Sequence, residues 1–231
     1  PGTAPAAPTI QEARPPMQTT STESPAAERG LDTRERLLRA GLALFSQLGL
    51  DGVRTRQLAD AAGVNQSAIP YHFGGKEGVY AAVLEQTTHD IAARLAWPET
   101  PPATPREAAT QLRALMRDFA TALLDSDASA ARSLLLAREQ LQPTPRFEAI
   151  HAALFMPLHE AVTCRVAALR REPPGGRDSI LRAHAILGQA IVFAVAREAL
   201  LRRLDTRRLT PDTVAEIAEM VGATALAAAR D

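Results

Sequence analysis

The chain has 231 residues, of which 46% are hydrophobic and 23% charged, and its 26 basic residues balance 26 acidic ones. This length provides for one large domain or two small ones with buried cores, and the zero net charge excludes a basic coat for nucleic acid, so any DNA contact must be local. Aromatic residues make up only 4%, and the abundance of Ala, Leu and Arg favours helices over strands.

Residues 1–30 are expected to form a disordered N-terminal arm. They are rich in Pro, Ala, Thr and Ser and carry few bulky apolar groups, so burial cannot offset the entropy that is lost on folding. Whether this arm grips DNA or is a passive tail stays open from the residues alone.

Residues 31–96 are predicted to form a small helical domain, which we call the head. Leucines and Phe45 recur at spacings of three and four residues, glycines end the runs, and Thr55 is placed to cap the second helix. The predicted helices cover about 33–48, 56–62, 65–73 and 76–96.

A Pro-rich linker, "WPETPPATP" at 97–105, separates the head from the rest of the chain because it cannot sustain a helix. Residues 106–231 contain long amphipathic stretches that predict a larger helical domain, which we call the bundle. The predicted helices there cover 106–124, 128–141, 147–170, 179–204 and 213–230. The chain is therefore predicted to be all-α.

The head has the layout of a helix-turn-helix. Three short helices lie within about 40 residues, and Gly63 stands in the tight turn between the second and the third. The third helix would enter the major groove, with Asn65, Gln66 and Ser67 near base edges at its N-terminal end. Tyr71 follows, with His72 beside it, at a distance that suits contacts with phosphate.

Lys76 is the only lysine in the chain, and it stands at the start of the fourth predicted helix. An ammonium group and the free N–H groups of a helix N-terminus can bind one phosphate together. Arg54 and Arg56 flank the second helix, where each could hold phosphate or stay solvated. For Phe73 and Tyr80 we favour packing, because aromatic side chains dominate the core of so small a domain.

The segment "TRQLADAAGVNQSAIPYHFGGKEGVYAAVL" resembles the DNA-binding domain of TetR-family transcriptional regulators, over about residues 33–84. Three segments of the bundle, "PREAATQLRALM", "LLLAREQLQPTPRFEAIH" and "ILGQAIVFAVAREALLRRL", are similar to the C-terminal domain of the CecR-like branch of that family. The resemblance implies an N-terminal three-helix helix-turn-helix DNA-binding domain and a C-terminal ligand-binding and dimerisation domain.

The same resemblance implies a mode of action and a set of contacts. Such a protein is a homodimeric repressor that binds a palindromic operator in double-stranded DNA and is released by a small apolar or amphipathic effector. By position, the implied phosphate contacts are Thr55, Tyr71, His72 and Lys76, and the implied base contacts are Gln66, Ser67 and Ala68.

Two residues depart from the family pattern. Pro70 lies inside the recognition helix, where it removes a backbone donor and can kink the helix. Gly75 stands where a polar cap often precedes the fourth helix, so we expect a looser helix start. Both departures bear on the angle at which the recognition helix docks.

The segment 186–195 is apolar around most of its circumference and must therefore be covered on most sides. A core helix within one subunit would explain this pattern. We favour a two-fold interface made with the last helix, as the resemblance also suggests. The predicted interface residues are Ile186, Ala190, Ile191, Phe193, Ala194, Val214, Ile217 and Val221.

Bulky or adaptable side chains of the bundle are the candidates for a pocket that takes an apolar effector. Core packing is the better explanation for each of them when it is considered alone. The candidates are Met116, Phe119, Phe147, His151, Phe155, Met156 and His184.

No arrangement of residues predicts catalysis or a metal site. His151 and His159 are too far apart on one helix to share a metal without a third ligand, and the pair His159–Glu160 lacks the second histidine of HExxH. We find no nucleophile–base pair and no phosphate-binding glycine loop, so we predict no enzyme activity, no metal and no cofactor. A helical small-molecule-binding protein whose head no longer binds DNA remains an alternative.

The expected compartment is the cytoplasm. The single Cys164 permits no internal disulfide, which fits a reducing environment. We recognise no leader segment and no apolar run of about 20 residues, so we expect no membrane span.

Overall fold

The computed structural model describes residues 25–98 and 100–230, which contain helices and no strand. This confirms the all-α prediction. A π-helical turn, His151–Phe155, joins two of the helices. The helices are α1 (Pro25–Gly52), α2 (Thr55–Ala62), α3 (Ala68–Phe73), α4 (Lys76–Ala92), α5 (Pro105–Leu124), α6 (Asp127–Leu141), α7 (Phe147–Ile150), α8 (Met156–Arg170), α9 (Arg177–Val195), α10 (Arg197–Arg203) and α11 (Pro211–Arg230).

Several helix ends differ from the prediction. Most of the predicted arm, residues 1–24, lies outside the described residues, whereas residues 25–30 belong to α1. Thr55 is the first residue of α2 rather than its cap, and Arg54 at the cap position makes no capping hydrogen bond. Helix α4 ends earlier than predicted, at Ala92, whose carbonyl accepts a 2.8 Å hydrogen bond from the Trp97 indole.

The turns of the head depend on glycine. Gly49 (φ 71°) interrupts α1, Gly63 (φ 62°) ends α2, and Gly74 (φ 73°) and Gly75 (φ 147°) separate α3 from α4. A side chain at such angles would be strained, so these positions fix where the helices stop. The Arg36 side chain donates to the Gly63 carbonyl at 2.6 Å and so fastens the helix-turn-helix turn to α1.

The core of the head is small and built around two aromatic rings. Phe45 and Tyr80 lie edge to face, with ring centroids 5.0 Å apart, and Ile69 of α3 is fully buried beside the same core. Helix α3 approaches α4 closely at Gly78, where a Cβ atom would overlap the Phe73 carbonyl. The recognition helix is therefore fixed to α4 as well as to α1.

Helix α5 runs through the middle of the bundle and packs against α8, α9 and α11. Helix α11 lies close to it because Gly222 faces α5, and a Cβ atom there would be 2.9 Å from the Arg117 Cγ. Glu219 strengthens this seam with ion pairs to Arg113 at 2.9 Å and to Arg117 at 2.7 Å. Both pairs are half exposed, so packing contributes most of the stability.

Two predicted single helices are interrupted. The stretch 147–170 contains the π-helical turn, and the stretch 179–204 breaks at Ala196 between α9 and α10.

Phe147–Arg170 and Arg177–Val195 are long and apolar enough to cross a membrane, contrary to the expectation from the sequence. Length and composition alone support such a span, and core helices of soluble proteins meet the same criterion.

Candidate nucleic-acid interface

The turn before α3 prepares the N-terminal end of the recognition helix. The Asn65 Oδ1 atom accepts hydrogen bonds from the Ser67 backbone N–H at 3.0 Å and from the Ser67 hydroxyl at 2.9 Å. This side-chain turn precedes the helix and engages the Asn65 carbonyl oxygen and the Ser67 hydroxyl. Asn65 and Ser67 were predicted to read bases, whereas in the free protein they hold the turn.

Gln66 is the polar side chain of this turn that stays available. It is exposed and makes no side-chain hydrogen bond with the described residues. Ala68 is half-buried at the first position of α3. The amide of Gln66 therefore has a free donor and a free acceptor, the two groups that an amide uses at a base edge.

Pro70 is accommodated without a kink. It is the third residue of α3, so its missing N–H falls in the first turn, where backbone donors have no partner within the helix. The nearby carbonyls of Gln66 and Ser67 accept from Ile69 and Tyr71 instead. The predicted departure at Gly75 holds, since α4 starts without a side-chain cap.

Tyr71 projects from the head. Its side chain is 84% exposed, and its ring meets the His72 ring edge to face at 4.9 Å. A tyrosine this exposed makes little contribution to folding. His72 is half-buried, and the Arg34 guanidinium lies 5.2 Å above the Phe73 ring.

An open groove of about 720 Å³ lies between the recognition helix and the start of α4. Thr55, Gln66, Ser67 and Lys76 line it, and so does the ring of Pro70. Four of the predicted DNA-contacting residues thus share one concave surface. Arg54, directly before α2, is exposed. Arg56 forms a 3.8 Å ion pair with Asp60.

Lys76 has a partner that the sequence did not reveal. Its Nζ donates to the Leu50 carbonyl in the last turn of α1 at 2.8 Å, and the side chain is half-buried. A cation is favourable at this end of a helix, where carbonyls lack partners. The ammonium has two further protons, and the side chain also lines the groove.

Helix α6 of the bundle also contacts this end of α1. Arg138 of α6 donates from Nε to the Ser46 carbonyl at 2.8 Å and from Nη2 to the Gln47 carbonyl. Lys76 of the head and Arg138 of the bundle therefore hold neighbouring carbonyls of one helix end. Displacement of α6 relative to α1 would disturb the position of Lys76.

A buried carboxylate forms the second link between bundle and head. Glu139 is fully buried and accepts hydrogen bonds from the Tyr80 hydroxyl, from the Thr144 hydroxyl at 3.0 Å and from the Thr144 N–H at 3.3 Å. Burial and then the hydrogen bond to this carboxylate raise the pKa of Tyr80 well above its usual value. The link joins α4 to α6 through a dry polar contact.

Five of the eight residues predicted for the dimer interface are buried inside one subunit. Ile186 and Ala190 are fully buried, and Val214, Ile217 and Val221 are buried too, all within the core of one subunit. Those faces of α9 and α11 are covered by helices of the same chain. Ile191, Phe193 and Ala194 are half-buried at the edge of the core.

A neighbouring face of α9 is apolar and exposed instead. Leu181 and Val192 are each 52% exposed, and Val195 is 49% exposed. Together with the exposed Ala185 and Gly188 they follow spacings of four and three residues. We call these five residues the α9 stripe.

The residues predicted for the effector pocket differ in burial. Met116 and Phe119 are buried in the core, whereas Met156 and His184 are exposed. The Phe147 ring of α7 lies tilted against two rings of the π-helical turn, with centroid distances of 5.8 Å to His151 and 6.1 Å to Phe155. The candidates thus divide between the core and the surface because helical spacing does not reveal which face is covered.

His159 of α8 and His184 of α9 lie close together. The rings of His159 and His184 are 5.8 Å apart, and burial, followed by the nearby His184, lowers the pKa of His159. Among the described residues, no group of three or more His, Cys, Asp or Glu side chains is arranged to hold a metal.

Comparison with known proteins gives matches in both domains. Residues 37–83 match the family described as bacterial regulatory proteins of the tetR family, and residues 108–230 match the C-terminal domain of the HTH-type transcriptional dual regulator CecR. That regulator in Shigella flexneri is 32% identical over 186 residues, which are 76% of this chain and 81% of the relative.

Solved structures share the fold at low sequence identity. The ketosteroid transcriptional regulator KstR2 of Mycobacterium tuberculosis superposes with a TM-score of 0.63 at 22% identity, covering 84% of this chain and 93% of the other. AibR, solved in complex with isovaleryl coenzyme A and operator DNA, gives a TM-score of 0.62 at 16% identity, covering 83% of this chain and 97% of the other.

Proposed function

Because the chain belongs to the TetR family of transcriptional regulators, in the CecR-like branch, we propose that it binds a palindromic operator as a homodimer and is released by a small-molecule effector. Proteins of this family are DNA-binding regulators and not enzymes, as predicted for this chain. We further propose that it acts in the cytoplasm, as a repressor.

The observation that carries the DNA-binding proposal is the groove beside the recognition helix. Gln66, an unpaired amide, and Lys76, with two unused ammonium protons, line the same concave surface, and the exposed Tyr71 stands on the same helix. An amide can read a base edge, while an ammonium and a phenol can hold the flanking phosphates. The chain is neutral as a whole, so this local arrangement has to provide the affinity.

Homodimerisation is supported by the α9 stripe. A spacing of four and three residues suits packing against a second helix, and the exposed Gly188 has nothing within 4 Å of a Cβ position, so another backbone can approach. Helix α11 presents Met220, 55% exposed, beside it. In a dimer of two copies, these faces would be buried against each other across a two-fold axis. The same axis would place the two recognition helices on the two halves of a palindromic operator.

Binding to DNA from upstream of the protein's own gene tests the proposal. We expect wild-type protein to bind that duplex at least about 10³-fold more tightly than a scrambled duplex, at one stated salt concentration. Tyr71→Ala should weaken binding to both duplexes. As a control, Arg106→Ala changes an exposed arginine at the start of α5, outside the head, and should bind as wild type does. Equal affinity of wild type for both duplexes would contradict the proposal for this DNA.

A further inference from the structure

A second groove, of about 670 Å³, lies where the head meets the bundle. One wall belongs to the head, with Leu38 of α1 and a long part of α4 that includes Ala82 and Glu85. The other wall belongs to the bundle, with Arg146 before α7 and Ala153 in the π-helical turn. None of the seven residues predicted for the effector pocket lines it.

The groove is open because small side chains face each other across it. Alanines line both walls, and in addition the π-helical turn widens the helix at Ala153. Such turns are rare and are frequent at functional sites. The volume lies within the range of about 300–1,000 Å³ that small-molecule sites occupy.

The charged residues that line the groove indicate the charge of the ligand that it binds. Arg34 and Arg146 contribute one cation from each wall, against the single carboxylate of Glu85. Arg146 is exposed, and its guanidinium makes no hydrogen bond or ion pair with the described residues. A free guanidinium beside an apolar floor binds carboxylate, sulfonate or phosphate groups of an otherwise apolar molecule.

We infer that this groove is the effector site and that its ligand is a small amphipathic anion, an apolar body that carries one acidic group. The inference rests on the proposed function, since it names the place and the chemistry of the effector. A ligand that touches α4 and α7 together binds only one relative position of head and bundle tightly. It would thereby change the positions of α4 and of Lys76, which starts that helix.

Titration with anilinonaphthalene sulfonate, an aromatic sulfonate that fluoresces in apolar sites, tests the inference. Wild-type protein should bind about one probe per chain, and Ala153→Trp should weaken binding about tenfold or more by filling the groove. Ala152→Trp is the matched control, because Ala152 is also exposed in the π-helical turn but does not line the groove. Its probe affinity should equal that of wild type.

Arg146→Gln supplies a second variant that removes the cation without adding volume. It should weaken the probe about two- to tenfold, whereas Arg106→Gln, far from the groove, should not. Circular dichroism melting identifies any variant that fails to fold, and in that case Arg146→Gln decides. Wild-type protein that binds no probe, or probe binding that survives both Ala153→Trp and Arg146→Gln, would overturn the inference.

The coupling is measured on operator DNA. The probe should weaken operator binding of wild type by about 5- to 150-fold and leave Ala153→Trp unaffected. Operator binding measured without probe tests the proposed function by itself. A protein that binds no operator would therefore contradict the proposed function, whereas a protein that binds operator but no probe would contradict only the inference about the groove. Probe that fills the groove without changing operator affinity would refute the effector role.

Discussion

Lys76 has a contact within the fold as well as its proposed role in DNA binding. Its ammonium binds the Leu50 carbonyl at 2.8 Å and also lines the groove beside α3. The Gln66 side chain lines the same groove and makes no side-chain hydrogen bond with the described residues. The two residues should therefore differ in the kind of defect that their loss produces.

Lys76→Ala should weaken binding to operator and random DNA alike and lower the magnitude of the salt slope by about 1 per subunit, because one fewer counterion is released. It should also reduce the free energy of unfolding by about 1 kcal/mol, since the Leu50 carbonyl loses a charged donor. Gln66→Ala should keep the salt slope and the stability while losing roughly 1–3 kcal/mol of discrimination at one base pair per half-site.

Titrations of both variants on operator and scrambled DNA across a salt series, with urea unfolding of each, measure these effects. An unchanged salt slope in Lys76→Ala would show that its ammonium is structural only. Equal weakening of both DNAs by Gln66→Ala would remove its role in base recognition.

At the residue scale, the sequence revealed the surface but not the local partners. The motif placed Gln66, Tyr71 and Lys76 correctly on one end of the head. The Leu50 carbonyl is distant in sequence from Lys76, so no local pattern could predict that contact. For Asn65 the residue type suits both a base contact and a side-chain turn, and only the backbone geometry decides in favour of the turn.

At the element scale, periodicity located the helices well but not their interruptions. The stretch 147–170 has one continuous apolar pattern, yet it contains the π-helical turn. One extra residue in a turn leaves the composition unchanged, so the sequence gives no signal for it. The second groove lies beside that turn and was missed for this reason.

The link between α4 and α6 predicts a specific loss of stability. Tyr80→Phe removes the hydroxyl that Glu139 accepts from and leaves a buried carboxylate with one donor fewer, at a cost of about 1–3 kcal/mol. Tyr71, the only other tyrosine, is the matched control. Tyr71→Phe removes an exposed hydroxyl and should change the free energy of unfolding by less than about 0.5 kcal/mol.

The same link makes stability depend on alkaline pH. The pKa of Tyr80 is raised in the folded protein, so above the ordinary tyrosine pKa of about 10 the unfolded chain loses this proton while the folded chain keeps it. The Tyr80–Glu139 hydrogen bond therefore contributes fully to the free energy of unfolding below pH 10, and its contribution declines as the pH rises further. Urea unfolding between pH 8 and 11 should show a decline that Tyr80→Phe lacks; equal declines would assign it to other groups.

At the scale of the whole molecule, the sequence predicted which helices are apolar but not which of their faces are covered. Helix α9 is apolar on several sides, and Ile186 packs into the core of its own subunit, whereas Val192 faces solvent. Periodicity cannot separate these two faces when both are apolar, because the distinction depends on where α5, α8 and α11 lie. Five of the eight residues predicted for the interface therefore lie in the core of one subunit, and the exposed apolar face of α9 is the α9 stripe.

The α9 stripe predicts the oligomeric state and its loss. The wild-type protein should be a dimer without DNA, and Val192→Glu should yield folded monomers, because an unpaired charge buried in the interface costs roughly 3–5 kcal/mol. Leu134→Glu is the control, since Leu134 is an exposed leucine, at 39%, on α6 and outside the stripe; it should remain dimeric. Ile186→Glu should instead unfold the subunit, because Ile186 is fully buried within it. Light scattering after size exclusion, with circular dichroism of each variant, separates these outcomes. A folded, dimeric Val192→Glu protein would place the interface on another face.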